Sequence, residues 1–422
     1  MAVRGVLAMV LAGGRVDELG VLTHRRPKST VPFGGLYRVI DFPLSNIMHS
    51  GIERVGVLGQ YRSASLISHI GDGASWDLAG RRRGIALLPP FQGLHAWDWY
   101  RGTANAVHQN LDFIAAHDPD LVLVLSGDHV YRMDYGELVA FHREAGADMT
   151  AAFVEVPPGE ASRFGLGRIG GSDPRGGPLE AYREKPARPI SNWASMTIYL
   201  FRREVLEAVL DENAKASSHE FGRDILPGMI GRYRVFGYRH AGYWGYLRTL
   251  EEYWRANMAL LGPEPAPPLE DWEVRTNLQH ERIAERGPAF LGPGAEVASA
   301  VLHNGVRVEG RVEGSVLFPG VHVEKGAIVR DSILFFDVRV GEGARLERVI
   351  ADKAAVFGPG SVAGRTGGAL TVVGARARIP KGCRVGAGCE VHPQAAEQDF
   401  PGPEVADAAV VASSGQARHG AG

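Results

Sequence analysis

The chain has 422 residues, enough for two to three domains at about 150 residues each and for a substantial buried core. Its 46 Lys and Arg nearly balance 48 Asp and Glu, for a net charge of −2, which argues against nucleic acid or an acidic membrane as the main partner. Two cysteines, Cys383 and Cys389, lie close together late in the chain, so neither a disulfide scaffold nor a Cys-ligated zinc module fits. The N-terminal run MAVRGVLAMVLAGGR is too short to span a membrane and has no signal-cleavage pattern; the expected location is the cytoplasm.

Residues 6–11 form a short apolar run that ends in Gly13 and Gly14, the pattern of a buried parallel strand feeding a glycine turn. Similar runs recur at 55–58, 121–125 and 149–156. Between them lie amphipathic stretches such as 103–117, where Val107, Leu111 and Ile114 share one helical face. This βα alternation predicts a Rossmann-like, doubly wound α/β domain over 1–258, whose ligands sit beyond the carboxyl ends of its strands. Gly13, Gly14 and Asp128 occupy such ends. Prolines at 263, 265, 267 and 268 then mark a linker over 259–290.

Beyond the linker, aliphatic residues recur every six positions: Val373, Ile379, Val385 and Val391, and earlier Val316, Ile328, Leu334, Val340 and Leu346, with His322 interrupting. A six-residue phase predicts a left-handed parallel β-helix over 291–393, three short strands per coil. Cys383 and Cys389 share this phase and read as core or wall residues. The Ala, Gly and Ser-rich stretch 394–422 has little periodicity and reads as a disordered tail.

LAGGR at 11–15 lets backbone approach a ligand closely. HRRPKSTVPFGG at 24–35 adds Arg25, Arg26 and Lys28, and SGDH at 126–129 puts Asp128 at another strand tip. Cations, a glycine turn and a carboxylate suit a nucleotide enzyme in which Mg²⁺ is held by one or two carboxylates and substrate phosphates.

Taken in order, LAGGR, HRRPKSTVPFGGLYRVIDFPLSN, WYRGTANAV, SGDHVYRMDY, FGLGRI, EKP, the Ser195–Met196 pair and EFGRDILP resemble the bacterial ADP-glucose pyrophosphorylases, or glucose-1-phosphate adenylyltransferases. The likeness runs over nearly the whole chain to the end of the β-helix. It implies an Mg²⁺-dependent reaction of ATP with glucose 1-phosphate to ADP-glucose and pyrophosphate, in the committed step of glycogen synthesis, by tetramers under the control of metabolite effectors. By the same resemblance Leu11, Ala12, Gly13 and Gly14 hold the nucleotide, with Gln92 and Gly102 near adenine. Lys28 corresponds to the lysine that neutralises triphosphate charge, and Asp128 to the first metal ligand. Tyr100, Gly165, Glu184, Lys185 and Ser195 correspond to the glucose 1-phosphate set, and Arg25 stands where many members bind a phosphorylated effector.

Two segments depart from the family pattern. The glycine loop, commonly G-T-R-L, continues here as Val16, Asp17, Glu18 and Leu19, so Glu18 replaces the arginine expected to meet pyrophosphate. The segment commonly R-D-V-G-T-L appears as Gly245, Tyr246, Leu247, Arg248, Thr249 and Leu250, so Tyr246 replaces the second metal-binding aspartate. Nucleotidyl transfer relies on positioning and charge neutralisation. Reversing one charge about 4 Å away, at an effective dielectric of about 20, swings the local energy by up to about 8 kcal/mol. The sequence therefore reads as a catalytically impaired, regulatory homologue, in a homotetramer or in a heterotetramer with an active paralogue. The alternative is an active adenylyltransferase, rescued by Asp17, Glu18 or Arg248. A third reading, an acyltransferase working through the β-helix, would need partners for His303, His322 or His392 that the sequence does not display.

Overall fold

The computed structural model describes residues 3–14, 17–90, 99–263 and 267–414. They form two compact units, one of the described residues within 1–14 and 40–245 and one of those within 15–39 and 246–422.

The first unit is built on a nine-stranded sheet in the spatial order Gly84–Leu88, Arg54–Leu58, Val6–Leu11, Leu121–Ser126, Trp193–Arg202, Met149–Glu155, Val235–His240, Gly176–Arg183, Leu166–Ile169. The first four are mutually parallel; the unbroken apolar runs predict this for the three buried strands, whereas the half-buried edge strand Gly84–Leu88 was not among the runs read from the sequence. Trp193–Arg202 is then inserted antiparallel to both of its main neighbours, which makes the sheet mixed. Val6–Leu11 lies in register with Leu121–Ser126, so that Leu11 pairs with Ser126 and the turns after both strands emerge side by side. The stretch 103–117 does not form one helix. It breaks into Thr103–His108 and Leu111–His117, with the Asn110 side chain bonding back to the Ala106 carbonyl at 2.8 Å; Val107 and Ile114 still face the core.

The second unit carries a parallel β-helix whose walls are stacks of strands two or three residues long, apart from the seven-residue strands Glu296–Leu302 and Arg311–Leu317. The stacking repeat is not a strict six. Val312, Val329, Leu346 and Ala363 stand one above another, as do Leu317, Leu334 and Ala351, each 17 residues from the next. Over residues 312–363 the inward series therefore steps by six, five and six, one corner of each coil being a residue shorter, whereas Val373, Ile379, Val385 and Val391 keep the strict six read from the sequence and are all buried. This corrects the sequence reading at three places, the first being Val316, which is buried but pairs with Ile333 while Leu317 takes the stack. Ile328 is half-buried while Val329 takes the stack, and His322 interrupts nothing, because Val323 is the inward residue beside it. The helix also does not end at 393. Glu404–Val405 and Val410–Val411 pair with Arg384–Val385 and Glu390–Val391, so residues up to 411 add another coil. The insertion at 394–403 stretches the repeat here to 20, which hid the phase. Cys383 and Cys389 are unpaired thiols buried in the β-helix core.

Residues 17–39 join this unit rather than the sheet that precedes them in sequence, and so does the helix Leu250–Met258, capped by a reciprocal Thr249–Glu252 pair. The compact units thus differ from a sequential division at 258. The physical reason is polar anchoring. The Tyr253 hydroxyl donates to the Pro32 carbonyl, the Gly34 amide donates to Asn257 Oδ1 at 2.9 Å, and Arg26 is paired with Asp352. The Pro-rich segment is not a bare linker either: Trp272 and Ile283 are buried, and Glu281 pairs with Arg38 and Lys353. Among the described residues no helix is long and apolar enough to cross a membrane.

Candidate active site

In the first unit Gly13 and Gly14 follow the strand Val6–Leu11, Asp128 follows Leu121–Ser126, and Glu184 and Lys185 follow Gly176–Arg183, while Gly165 precedes Leu166–Ile169 and Ser195 lies within Trp193–Arg202. The Ala12 amide donates to Leu58 O at 2.9 Å and the Gly127 amide to Leu11 O at 2.8 Å, knitting the glycine turn to the strands on both sides. Gly13 is a true steric requirement, since a Cβ there would lie 2.6 Å from the Gln60 backbone nitrogen; around Gly14 the space is open. Gln60 also clamps Tyr100, accepting from its backbone N–H and donating to its carbonyl at 3.4 Å. The Tyr100 hydroxyl donates to Leu88 O at 2.9 Å and accepts from Asn110, while burial pushes its pKa up. Gly102 opens the helix Thr103–His108 with φ 157°, where a Cβ would meet the His219 carbonyl oxygen at 2.3 Å. Gln92 lies outside the described residues.

The EFGRD segment closes this side of the site. Glu220 accepts from the Thr103 hydroxyl at 2.6 Å and from its amide at 3.2 Å, so the segment is locked to the start of that helix. One residue further, Gly222 faces Glu184. A Cβ on Gly222 or on Gly165 would approach Glu184 Oε2 at 2.7 or 2.6 Å, so both glycines make room for the carboxylate. Tyr182 donates its hydroxyl to Glu184 at 2.8 Å. Burial drives the Tyr182 pKa well up and that of nearby Tyr199 to about 12, which keeps both phenols protonated. Ser195 is buried on a bulged strand. Its amide donates to Gly165 O at 2.8 Å and its hydroxyl lies 3.4 Å from the Tyr199 hydroxyl. Lys185, exposed and held at φ 43°, is fixed by its amide to Phe164 O at 3.1 Å.

Asp128 stands just past Ser126, which donates a hydroxyl to it, and His129 Nε2 lies 3.3 Å from its carboxylate. Trp244 Nε1 donates to His129 Nδ1 at 3.4 Å, which leaves the imidazole proton on Nε2, pointing at Asp128. The Trp244 ring in turn packs edge-on against Phe164, at 5.3 Å. The metal-ligand candidate is thereby connected through Phe164 to the adjacent Gly165 and to Lys185, whose amide bonds the Phe164 carbonyl. Sequence reasoning assigned no role to Gln60, Tyr182, Trp244, His129, Glu220 or Gly222. The last three lie inside the quoted motifs, whereas Gln60, Tyr182 and Trp244 had no motif to reveal them.

The two divergent segments meet within the second unit. Arg248 donates to Glu18 at 2.8 Å from Nε and at 2.7 Å from Nη2, and to the Tyr246 hydroxyl at 3.1 Å from Nη1. These partners push the guanidinium's pKa up. The Lys28 ammonium donates to the Tyr246 carbonyl at 2.5 Å and lies 5.0 Å from the centre of its ring. Arg25 donates to Gln394 at 2.7 Å.

Residues 7–262 match the Nucleotidyl transferase family and residues 292–367 the GlmU-like C-terminal hexapeptide family. The chain is thus a nucleotidyl transferase family protein in which a hexapeptide-repeat domain follows in sequence. It is 43% identical to the glucose-1-phosphate adenylyltransferase of Thermotoga maritima, over 93% of this chain and 95% of that one. It is 42% identical to the enzyme of that name from Desulforamulus reducens, over 82% and 85%, and 43% identical to that from Clostridium perfringens SM101, over 81% and 87%. The chain belongs to the glucose-1-phosphate adenylyltransferase family.

Proposed function

We propose that this protein binds glucose 1-phosphate and ADP-glucose through the set Tyr100, Gly165, Glu184, Lys185 and Ser195 and that its adenylyl transfer is impaired, so that it serves as a regulatory member of a tetramer. The observation that carries the reading is the Glu18–Arg248–Tyr246 bridge with Lys28 against Tyr246. Glu18 is neutralised by Arg248 rather than by a phosphate partner, and the Lys28 ammonium donates to the Tyr246 carbonyl.

On the sugar side, Glu184 accepts hydrogen bonds from glucose hydroxyls while Tyr182 holds its carboxylate in place, and Lys185 meets the phosphate as a point charge. Leu11, Ala12, Gly13, Gly14 and Gly102 offer backbone to the nucleotide. The oxygen donors at the strand tip suit Mg²⁺, and Asp128, 28% exposed beside Ser126, would hold it. Bound there, the ion would supply neutralisation of phosphate charge. Tyr246 offers no carboxylate as a second anchor. Arg25 is the effector candidate, and the assembly is a tetramer in the cytoplasm, alone or with an active paralogue.

A second reading, an active adenylyltransferase using ATP and glucose 1-phosphate, draws on one observation: Arg248 brings a guanidinium to the very cluster where an arginine is expected. Ligand binding tests the part that both readings share. Millimolar glucose 1-phosphate or ADP-glucose raises the melting temperature by mass action; an unchanged melting curve in a folded sample contradicts the sugar-site assignment.

A further inference from the structure

We propose that His24, Glu390 and His392 form a site for a divalent transition metal of the zinc class, which ties the segment after residue 17 to the wall of the β-helix. No role in nucleotide or sugar binding has been given to these residues. Glu390 and His392 flank Val391, whose side chain fills the β-helix core, so alternation puts both flanking side chains on the outer face of one strand. His24 arrives from the far end of the sequence, directly after the 3-10 segment Asp17–Thr23.

The carboxylate oxygen Glu390 Oε1 lies 4.0 Å from His24 Nε2 and 3.7 Å from His392 Nε2, and three ligand atoms, one per residue, fit within 4.8 Å of one another. The imidazole centroids are 5.2 Å apart with the rings at 89°, so the rings do not stack and both can aim a nitrogen at a common point. Zinc with bonds near 2.0–2.2 Å and tetrahedral angles sets its ligand atoms about 3.4 Å apart. Small rotations of three half-buried side chains, 32%, 32% and 23% exposed, close that gap. Gly20, at φ 50°, lets the strap pass close to the glutamate, since a Cβ there would sit 2.9 Å from Glu390 Oε2.

The donor set identifies the ion class. Two imidazoles and one carboxylate favour Zn²⁺, Co²⁺ or Ni²⁺ over Mg²⁺, which prefers oxygen throughout. Three protein ligands leave a fourth position for water or a small anion. The segment held this way is the one that carries Glu18, Arg25 and Lys28, so occupancy fixes a ligand six residues from Glu18 and adjacent to Arg25.

The test uses the full chain, stripped with a chelator and titrated with ZnCl₂ and with CoCl₂. The expected result is saturation at one equivalent, a raised melting temperature and a visible cobalt band of tetrahedral type, with Mg²⁺ unable to substitute. His392→Ala, His24→Gln and Glu390→Gln should each weaken zinc binding at least tenfold and remove the cobalt band. Wild-type protein that neither binds zinc nor shifts its melting point, or variants that bind it as tightly as wild type, would overturn the proposal. Should a variant fold poorly by circular dichroism, the wild-type titration decides alone. Neither measurement depends on turnover, so the proposal stands or falls apart from the reading of the active site.

Discussion

Glu18 and Arg248 show how a pair changes the meaning of a single substitution. Taken alone, a carboxylate in place of an arginine reverses a charge. With Arg248 bonded to it, the local sum is near zero, so the deficit against the expected arginine is closer to one charge, at most about 4 kcal/mol at an effective dielectric of about 20. Both side chains are more than a third exposed, and solvent screening reduces the figure further. Even about half of it would slow the chemical step more than tenfold. Because Arg248 bridges both segments, their repairs should not add. Glu18→Arg alone sets two guanidinium groups together and should gain little. The combined change Val16→Gly, Asp17→Thr, Glu18→Arg, Tyr246→Asp and Arg248→Gly should raise kcat by far more than the product of its halves, measured by pyrophosphate release.

Glu184 supplies the matching test on the sugar side. Glu184→Gln should weaken ADP-glucose binding by about 10-fold or more, in line with a charge-assisted hydrogen bond of about 1.5–3 kcal/mol, while thermal stability holds. Gly165→Ala, which would set a Cβ 1.9 Å from the Tyr182 hydroxyl, should do the same by displacing the clamp. Calorimetry reads both. His142 gives a pH signature. Burial, aided by Arg143, Arg202 and Arg234 and opposed by Asp148, lowers its pKa from 6.5 to about 4, and its Nε2 has no partner. Between those values the unfolded chain binds the extra proton, so stability is full above pH 6.5 and declines toward pH 4. His142→Gln should flatten that part of the urea-midpoint profile. At this scale the motif residues were legible because glycines and charges at strand ends have few other uses. The Glu18–Arg248 contact was not, since nothing local joins positions so far apart.

The β-helix shows which part of an element a sequence reveals. The apolar recurrence was visible, but the five-residue corner was not, because an aliphatic residue can stand next to the inward one, as half-buried Ile328 stands next to inward Val329. The inward stack itself makes a prediction. Phe357 is fully buried between Val340 and Ile379, and Phe357→Ala should cost about 3–5 kcal/mol by chemical denaturation. Residues 394–414 make a second. Cutting the chain after 393 would strip the pairing partners from Arg384–Val385 and Glu390–Val391 and leave open strand edges, so the truncated protein should melt lower and aggregate sooner, read by light scattering during a thermal ramp.

For the whole molecule, the α/β and β-helix order was readable from composition and periodicity, while the transfer of residues 15–39 to the second unit was not. That transfer rests on single contacts such as Tyr253 with Pro32 and Asn257 with Gly34, which leave no periodic trace. A protein whose open coil ends need covering should assemble, and the tetramer expected here is checked by multi-angle light scattering; a monomer at working concentration contradicts it.

The protein proposed above keeps its sugar site and has a weakened chemical step. The most direct test is pyrophosphate release by the purified full-length chain, free of any paralogue, with ATP, glucose 1-phosphate and Mg²⁺, with and without phosphorylated effectors. The expected turnover is at least tenfold below an ordinary enzyme rate of about 10 per second. Turnover at or above that rate would contradict it and establish the active reading.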